Sequence, residues 1–332
     1  MARSATAKSN EATKPQWFQG LRPGDRVGLV LPSSACSEAD FEKSKQWLEK
    51  QGYEPVSAPY AELVSGKEIF TANDDETRAS NLYRNLSDPS LKAVWAVRGG
   101  YGAARLLPFI EQWSAPKNAP LFVGYSDSTV LLNFFAERWN WVTLHAATLS
   151  QLAADEPLSL ASKNNIADAV LAKTTKWQLP EILPLNETAA HANEIISQVA
   201  GGCLSLVASL LGTPYAINCK DKILLLEDID EAGYRLDRML TQLKQTADLR
   251  TVKAVVFGEM GGYQAAKLRA ANDSKITEQN AALKIFAAQL DALSVPVFSS
   301  ANFGHCAEML AFPIGAEGKI DTQKQTLTVD KT

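Results

Sequence analysis

The sequence is poor in the residues that announce a metal site or a disulfide scaffold. Its four cysteines, Cys36, Cys203, Cys219 and Cys306, are scattered without a C-x-x-C pair. That spacing signals neither a zinc site nor a disulfide framework, and it fits a reducing compartment. Histidine is scarcer still, at three residues, so a reaction that needs an imidazole base can draw only on His145, His191 or His305. Neither sign of charge is in excess: 33 basic residues face 37 acidic ones for a formal net charge of -4. There is no electrostatic footprint for nucleic acid or for an anionic membrane surface, and a small-molecule or peptide partner is favoured. No apolar run approaches the roughly 20 residues that cross a bilayer, so no membrane span is expected.

What is present is the composition of a soluble globular protein, 46% hydrophobic and 21% charged over 332 residues. A chain of this length is expected to form two domains, each with its own core. The start, MARSATAKSNEATKPQ, has no apolar h-region. It reads as the mobile tail of residues 1–20 rather than as an intact secretory signal.

From Leu21 onward, apolar runs alternate with helical patterns. RVGLVL reads as a buried strand after the turn at Pro23, Gly24 and Asp25. ADFEKSKQWLEKQG is a helix with Phe41, Trp47 and Leu48 on one face and Gly52 at its C-cap, and Tyr53 to Val56 opens another strand. DDETRASNLYRNLS is a second helix, and KAVWAVRGG and LFVGY are two further strands. Parallel strands need helical crossovers to return the chain, so this order predicts a mostly parallel sheet covered on both faces. In such sheets ligands sit beyond the carboxyl ends of the strands, where RGG and GYSDS fall. Residues 21–172 form the expected first domain. Residues 173–198, which lose helical period and carry two prolines, are the expected connection. Residues 199–332 form the second domain, with KILLLED and VKAVVFGEM as strands and YRLDRMLTQL as a helix.

GYSDSTVLL places Ser126 on a strand-to-helix turn two residues after Gly124, as in G-x-S-x-G, although Ser128 replaces the last glycine. Two readings compete there: a nucleophile at Ser126, or a helix capped by Ser126, Asp127 or Ser128. A serine nucleophile needs a base. His191 falls in the connection, and His145 follows a strand and could equally be a core residue. His305, in the glycine-containing loop SSANFGHCAEM, is the better base. A carboxylate must then orient the imidazole. Beyond the strand KILLLE, the residues Glu227, Asp228, Asp230 and Glu231 offer four, with Glu227 the most rigidly held. Their spacing is not that of an EF-hand, and no metal and no cofactor are expected. The glycines of VRGGYGAARLL allow close backbone approach to a substrate and lack the spacing of a nucleotide loop. A two-lobed solute-binding protein remains a rival reading from another class, because it too has βα repeats and an interdomain cleft.

Taken in order, VRGGYGAARLL, VGYSDSTVLL, GGCLSLVASLLGTP, LLLEDIDEAGYRLDRMLTQL and FGHCAEMLAFPIG resemble the LD-carboxypeptidase family of serine peptidases. The resemblance spans Leu21 to about Gly315. It implies a triad of Ser126, Glu227 and His305, backbone oxyanion donors at Gly100 and Asp127, and Ser128 as the capping residue. It also implies an amidotransferase-like N-terminal domain, a smaller α/β C-terminal domain that brings the acid and the histidine to an interfacial active site, and a homodimer. The implied activity is removal of the terminal D-alanine from murein tetrapeptide during cytoplasmic peptidoglycan recycling, without a cofactor. An immunity-type hydrolase that cleaves an aminoacyl-nucleotide amide is the alternative within the family. Two segments depart from the family pattern: Cys203 stands where asparagine usually follows the paired glycines, and Ala146–Ala147 stand where glycine and proline are common.

Overall fold

Short apolar strands alternating with helices make up the computed structural model of the chain, which describes residues 14–246 and 249–331. The first five strands are β1 (Arg26–Val30), β2 (Glu54–Val56), β3 (Leu91–Ala96), β4 (Leu121–Gly124) and β5 (Thr143–His145). All their mutual pairings are parallel. Every residue of β4 and all of β3 except Lys92 are buried, as expected for strands covered by helices on both faces. The helix Glu38–Lys50 begins at Ser37, whose side chain accepts from Asp40 N–H, and it buries Phe41 and Leu48. Gly52, expected at the C-cap, follows the cap residue Gln51 and turns the chain toward β2 with φ +85°.

Later strands build a second, wider sheet: β6 (Lys176–Leu179), β7 (Leu183–Pro184), β8 (Glu194–Cys203), β9 (Lys222–Glu227), β10 (Ala254–Phe257) and β11 (Val297–Ser299). β12 (Phe312–Ile314) leaves this group, and β13 (Glu317–Asp321) and β14 (Thr326–Asp330) complete it. The eight-stranded order is β6-β14-β13-β8-β9-β10-β11-β7, and the six-stranded order is β12-β5-β4-β3-β1-β2. β8 to β11 run parallel in the centre. β12 crosses back to pair antiparallel with β5, setting Phe312 opposite His145. The protein is thus a mixed α/β fold of two sheets, and its late residues close the first sheet.

Two boundary expectations are corrected. Residues 1–13 of the anticipated tail lie outside the described residues, but residues 14–20 are packed against the body. Gln16 bridges to Trp141, Phe18 is 2% exposed, and Trp17 stacks on Trp177 with ring centroids 5.4 Å apart. The aromatic pair at positions 17 and 18 has apolar area to bury, which outweighs the polar residues before it. The anticipated connection, residues 173–198, supplies β6, β7 and the start of β8. Its prolines do not exclude strand structure, because Pro184 sits on β7 at the edge of the sheet, where a missing N–H is tolerated.

A polar seam joins the two sheets at the helix after β4. Asn133, in the middle of the helix Thr129–Arg138 and 1% exposed, donates from Nδ2 to Gly201 O at 2.8 Å and accepts from Gly201 N–H at 2.9 Å. Thr129 Oγ1 accepts from Cys203 N–H at 3.0 Å. The helix that follows Ser126 is therefore fastened to β8, and Cys203 on β8 is registered against Glu227 on β9.

Candidate active site

β4 ends in a one-turn 3-10 element, Ser126–Ser128, and Ser126 takes φ +57°. A side-chain-bearing residue in the left-handed region costs about 1–2 kcal/mol, a strain found where a turn must aim a functional group. The Ser126 side chain lies against the glycine pair of the β3 loop. A Cβ at Gly99 would lie 3.2 Å from Ser126 Oγ, and Gly100 has φ +111°, where an added Cβ would lie 2.7 Å from Ser34 Cβ. Among the described residues, no backbone hydrogen bond engages the N–H of Gly100 or of Asp127.

Ser128 departs from its expected capping role. It stands at the N-cap position, but its side chain makes no cap bond, and its buried Oγ has no hydrogen-bond partner. Its backbone N–H instead donates to Tyr125 O at 3.1 Å, so the turn is closed by main chain. The side chain that acts is that of Asp127. Its buried carboxylate accepts from Ala103 N–H at 2.7 Å and ties the glycine loop to the serine turn. Burial raises the carboxyl's pKa, opposed by the Ala103 N–H and the nearby Arg78 guanidinium. Arg78, 3% exposed, braces the same loop by donating to Gly102 O at 3.1 Å and to Pro32 O.

Glu227 closes β9 with no exposed surface. Its Oε2 accepts from His305 N–H at 3.1 Å and lies 2.6 Å from His305 Nδ1. A Cβ at Gly304 would lie 2.5 Å from that same oxygen, so only glycine lets the loop close on the carboxylate. Burial opposes a charged imidazole, but the facing Glu227 carboxylate prevails and raises the pKa of His305 above its ordinary value. Burial likewise opposes the Glu227 anion, and His305 reverses the balance, lowering the carboxyl pKa. The ring of His305 is further walled by Tyr125, 4.7 Å between centroids, and by Tyr263 at 6.1 Å. The two tyrosine hydroxyls meet at 2.5 Å, with Gln151 Nε2 bonded to both. Among the described residues, the hydrogen bonds of His305 run to Glu227 and none reaches Ser126.

The remaining candidates separate cleanly. His145 is fully buried, stacked on Phe303 at 4.2 Å, and among the described residues neither ring nitrogen has a hydrogen-bond partner. Burial lowers its pKa to about 4, so it is a neutral core residue. His191 is exposed, with Nδ1 2.9 Å from Glu187 O. Asp228 accepts from Ser205 N–H and Ile229 N–H, Asp230 pairs with Lys275, and Glu231 pairs with Arg235. Among the described residues no cluster of His, Cys, Asp or Glu is arranged to hold a metal ion. Sequence reasoning missed Asn133 and the Asp127 side chain. Asn133 left a signal, a lone amide inside TVLLNFFAER, because a buried polar group must find a partner.

A serine on a strained turn of one mixed sheet and a histidine–carboxylate pair beyond the strands of the next stand together in an α/β fold. The family model of the LD-carboxypeptidase N-terminal domain matches residues 27–146, and that of the C-terminal domain matches residues 197–320. A Rickettsia conorii protein named "putative carboxypeptidase" is 34% identical over 73% of this chain and 72% of its own. The murein tetrapeptide carboxypeptidase of Pseudomonas aeruginosa is 28% identical over 91% of this chain and 95% of its own. Among solved structures, an MccF-like protein of Bacillus anthracis superposes with TM-score 0.78 at 23% identity, covering 96% of this chain and 100% of that one. A muramoyltetrapeptide carboxypeptidase of Oxalobacter formigenes gives TM-score 0.72 at 24% identity, covering 91% and 99%. The chain belongs to the LD-carboxypeptidase family.

Proposed function

We propose that the protein is a serine carboxypeptidase that removes the terminal D-alanine of murein tetrapeptide, with Ser126, Glu227 and His305 as its triad. The observation that carries this reading is the pair of bonds that Glu227 accepts from the His305 backbone N–H and Nδ1, because they fix the ring and leave Nε2 as the ring nitrogen for Ser126. His305 Nε2 accepts the Ser126 proton as Oγ attacks the carbonyl carbon of the scissile amide. The unengaged N–H groups of Gly100 and Asp127 receive the oxyanion. His305 then passes the proton to the departing amine of D-alanine. Water, deprotonated by His305, cleaves the acyl-enzyme and restores Ser126. The Glu227 carboxylate stabilises the imidazolium formed at each step. Ser126 must approach His305 as substrate binds, a closure that apo active sites commonly require.

The cellular role proposed with it is peptidoglycan recycling in the cytoplasm, by a homodimer. Neither a cofactor nor nucleic acid enters the scheme. The domain division follows the chemistry: the first unit carries the nucleophile and the glycine loop, and the second carries the acid and the base. One feature favours the immunity-type alternative, an aminoacyl-nucleotide amidase. Phe70 and Tyr101, 66% and 54% exposed, pack edge to face beside Gly100 and offer an aromatic surface to a base.

The test is D-alanine release from purified murein tetrapeptide by wild-type protein and by Ser126→Ala. Wild type should turn over, and Ser126→Ala should lose on the order of 10⁶ in kcat. Ser128→Ala, whose hydroxyl has no partner, should match wild type in both rate and melting temperature. Cleavage of an aminoacyl-nucleotide amide without D-alanine release would replace this reading with the alternative.

A further inference from the structure

We propose that Arg98 binds the free carboxylate of the substrate's C-terminal residue and so makes the enzyme an exopeptidase. The proposal rests on the carboxypeptidase reading above and assigns its specificity. An exopeptidase must reward a terminal carboxylate over a continuing chain or an amide, which takes a cation or a set of donors near the scissile bond.

The carboxyl edges of the parallel strands are nearly bare of cations. The segments leaving them are residues 31–37 after β1, 57–59 after β2, 97–102 after β3, 125–128 after β4, 146–148 after β5, 228–232 after β9, 258–261 after β10 and 300–311 after β11. Arg98 is the one lysine or arginine in all of them. The same segments carry Asp127, Asp228, Asp230, Glu231, Glu259 and Glu308, and Glu227 ends β9 beside them. An anionic peptide entering such a rim meets repulsion unless a positive group offsets it.

Arg98 adjoins the serine turn in the chain and has donors to spare. It directly precedes Gly99, where an added Cβ would lie 3.1 Å from Ser126 Cβ. Its guanidinium is exposed, donates once, from Nη1 to Ala35 O at 2.8 Å, and has no carboxylate partner among the described residues. Neighbouring cations are already neutralised: Arg78 and Arg105 share Asp75, Arg235 pairs with Glu231, Lys275 with Asp230 and Arg269 with Glu259. A guanidinium anchored by one nitrogen keeps a fork free for a carboxylate, and Arg suits this geometry better than Lys.

The experiment compares murein tetrapeptide with the same peptide carrying a C-terminal carboxamide, using wild type, Arg98→Gln and Arg98→Lys. Wild type should favour the acid by roughly 10- to 100-fold in kcat/KM, the size of a charge-assisted bond. Arg98→Gln should lose that factor on the acid, through KM, and nothing further on the amide, so that the preference collapses to near unity. Arg98→Lys should restore part of it. Loss of the bond to Ala35 O affects both substrates alike and cancels in the ratio, so a purely structural role would leave the preference intact. A preference retained in Arg98→Gln overturns the proposal, as does a wild type indifferent to acid and amide. A wild type that releases nothing from either peptide, yet cleaves an aminoacyl-nucleotide amide, would refute the carboxypeptidase reading itself.

Discussion

Replacing His145 by leucine separates the two buried histidines by function and by pH. Leucine nearly conserves the volume and removes two ring nitrogens that have no partner, so at neutral pH the change should cost under about 1.5 kcal/mol. At lower pH the variant should become the more stable protein. The pKa of His145 falls from its ordinary 6.5 to about 4, with burial the largest cause; Glu227 pulls it back up and His305 pushes it further down. Below pH 6.5 the unfolded chain binds a proton that the folded chain refuses, so wild-type stability drops as pH falls from about 6.5 toward 4. The gap from 6.5 to about 4 corresponds to about 3 kcal/mol of stability lost by pH 4. His145→Leu lacks this loss. Urea melts of both proteins at several pH values between 7 and 4 should show the difference widening in favour of the variant by about 1.4 kcal/mol per pH unit in the middle of the range. D-alanine release at pH 7.5 should stay within a few fold of wild type, because His145 packs on Phe303 and Tyr125 and makes no hydrogen bond through its ring. A stability difference that stays constant with pH would refute the burial argument. A folded His145→Leu protein without turnover would move the base to His145.

Glu227→Gln should lower the plateau rate by about 10⁴, as loss of the orienting acid does in a related triad. It should also move the acid limb of the pH–rate profile to lower pH, because the carboxylate is what raises the pKa of His305 and the neutral imidazole is the active form. A limb that stays in place would show that another group sets it. Asn133→Leu strands the Gly201 N–H and C=O in the interior, which should cost about 2–5 kcal/mol in urea melts. It should also lower kcat more than tenfold in the protein that remains folded, since the serine helix is no longer fastened to β8. Unchanged kcat would limit Asn133 to stability.

The alternation of apolar runs and helical patterns determined the parallel sheets, since β1, β3, β4, β9 and β10 are each written in a few consecutive residues whose burial needs no distant information. Turn chemistry at GYSDS and the loop setting of His305 likewise pointed to the proposed site, because a strained turn and a glycine-flanked loop are local events. Tertiary structure decided what locality could not. Residues 312–314 pair with β5 rather than with their sequence neighbours, and Trp17 and Phe18 are drawn from a polar tail onto Trp177. The Ser128 hydroxyl caps nothing because main-chain bonding closes its turn, while the Asp127 carboxylate reaches across to the glycine loop. In sequence, the glycine-containing loop favours His305 over His145 without supplying its partner. The fold completes the separation, by setting a carboxylate 2.6 Å from His305 Nδ1 and, among the described residues, leaving both nitrogens of His145 without a partner. The physical reason is the range of the forces: propensity and periodicity act over a few residues, whereas burial and the pKa of a buried group are set by side chains that folding brings from tens of positions away.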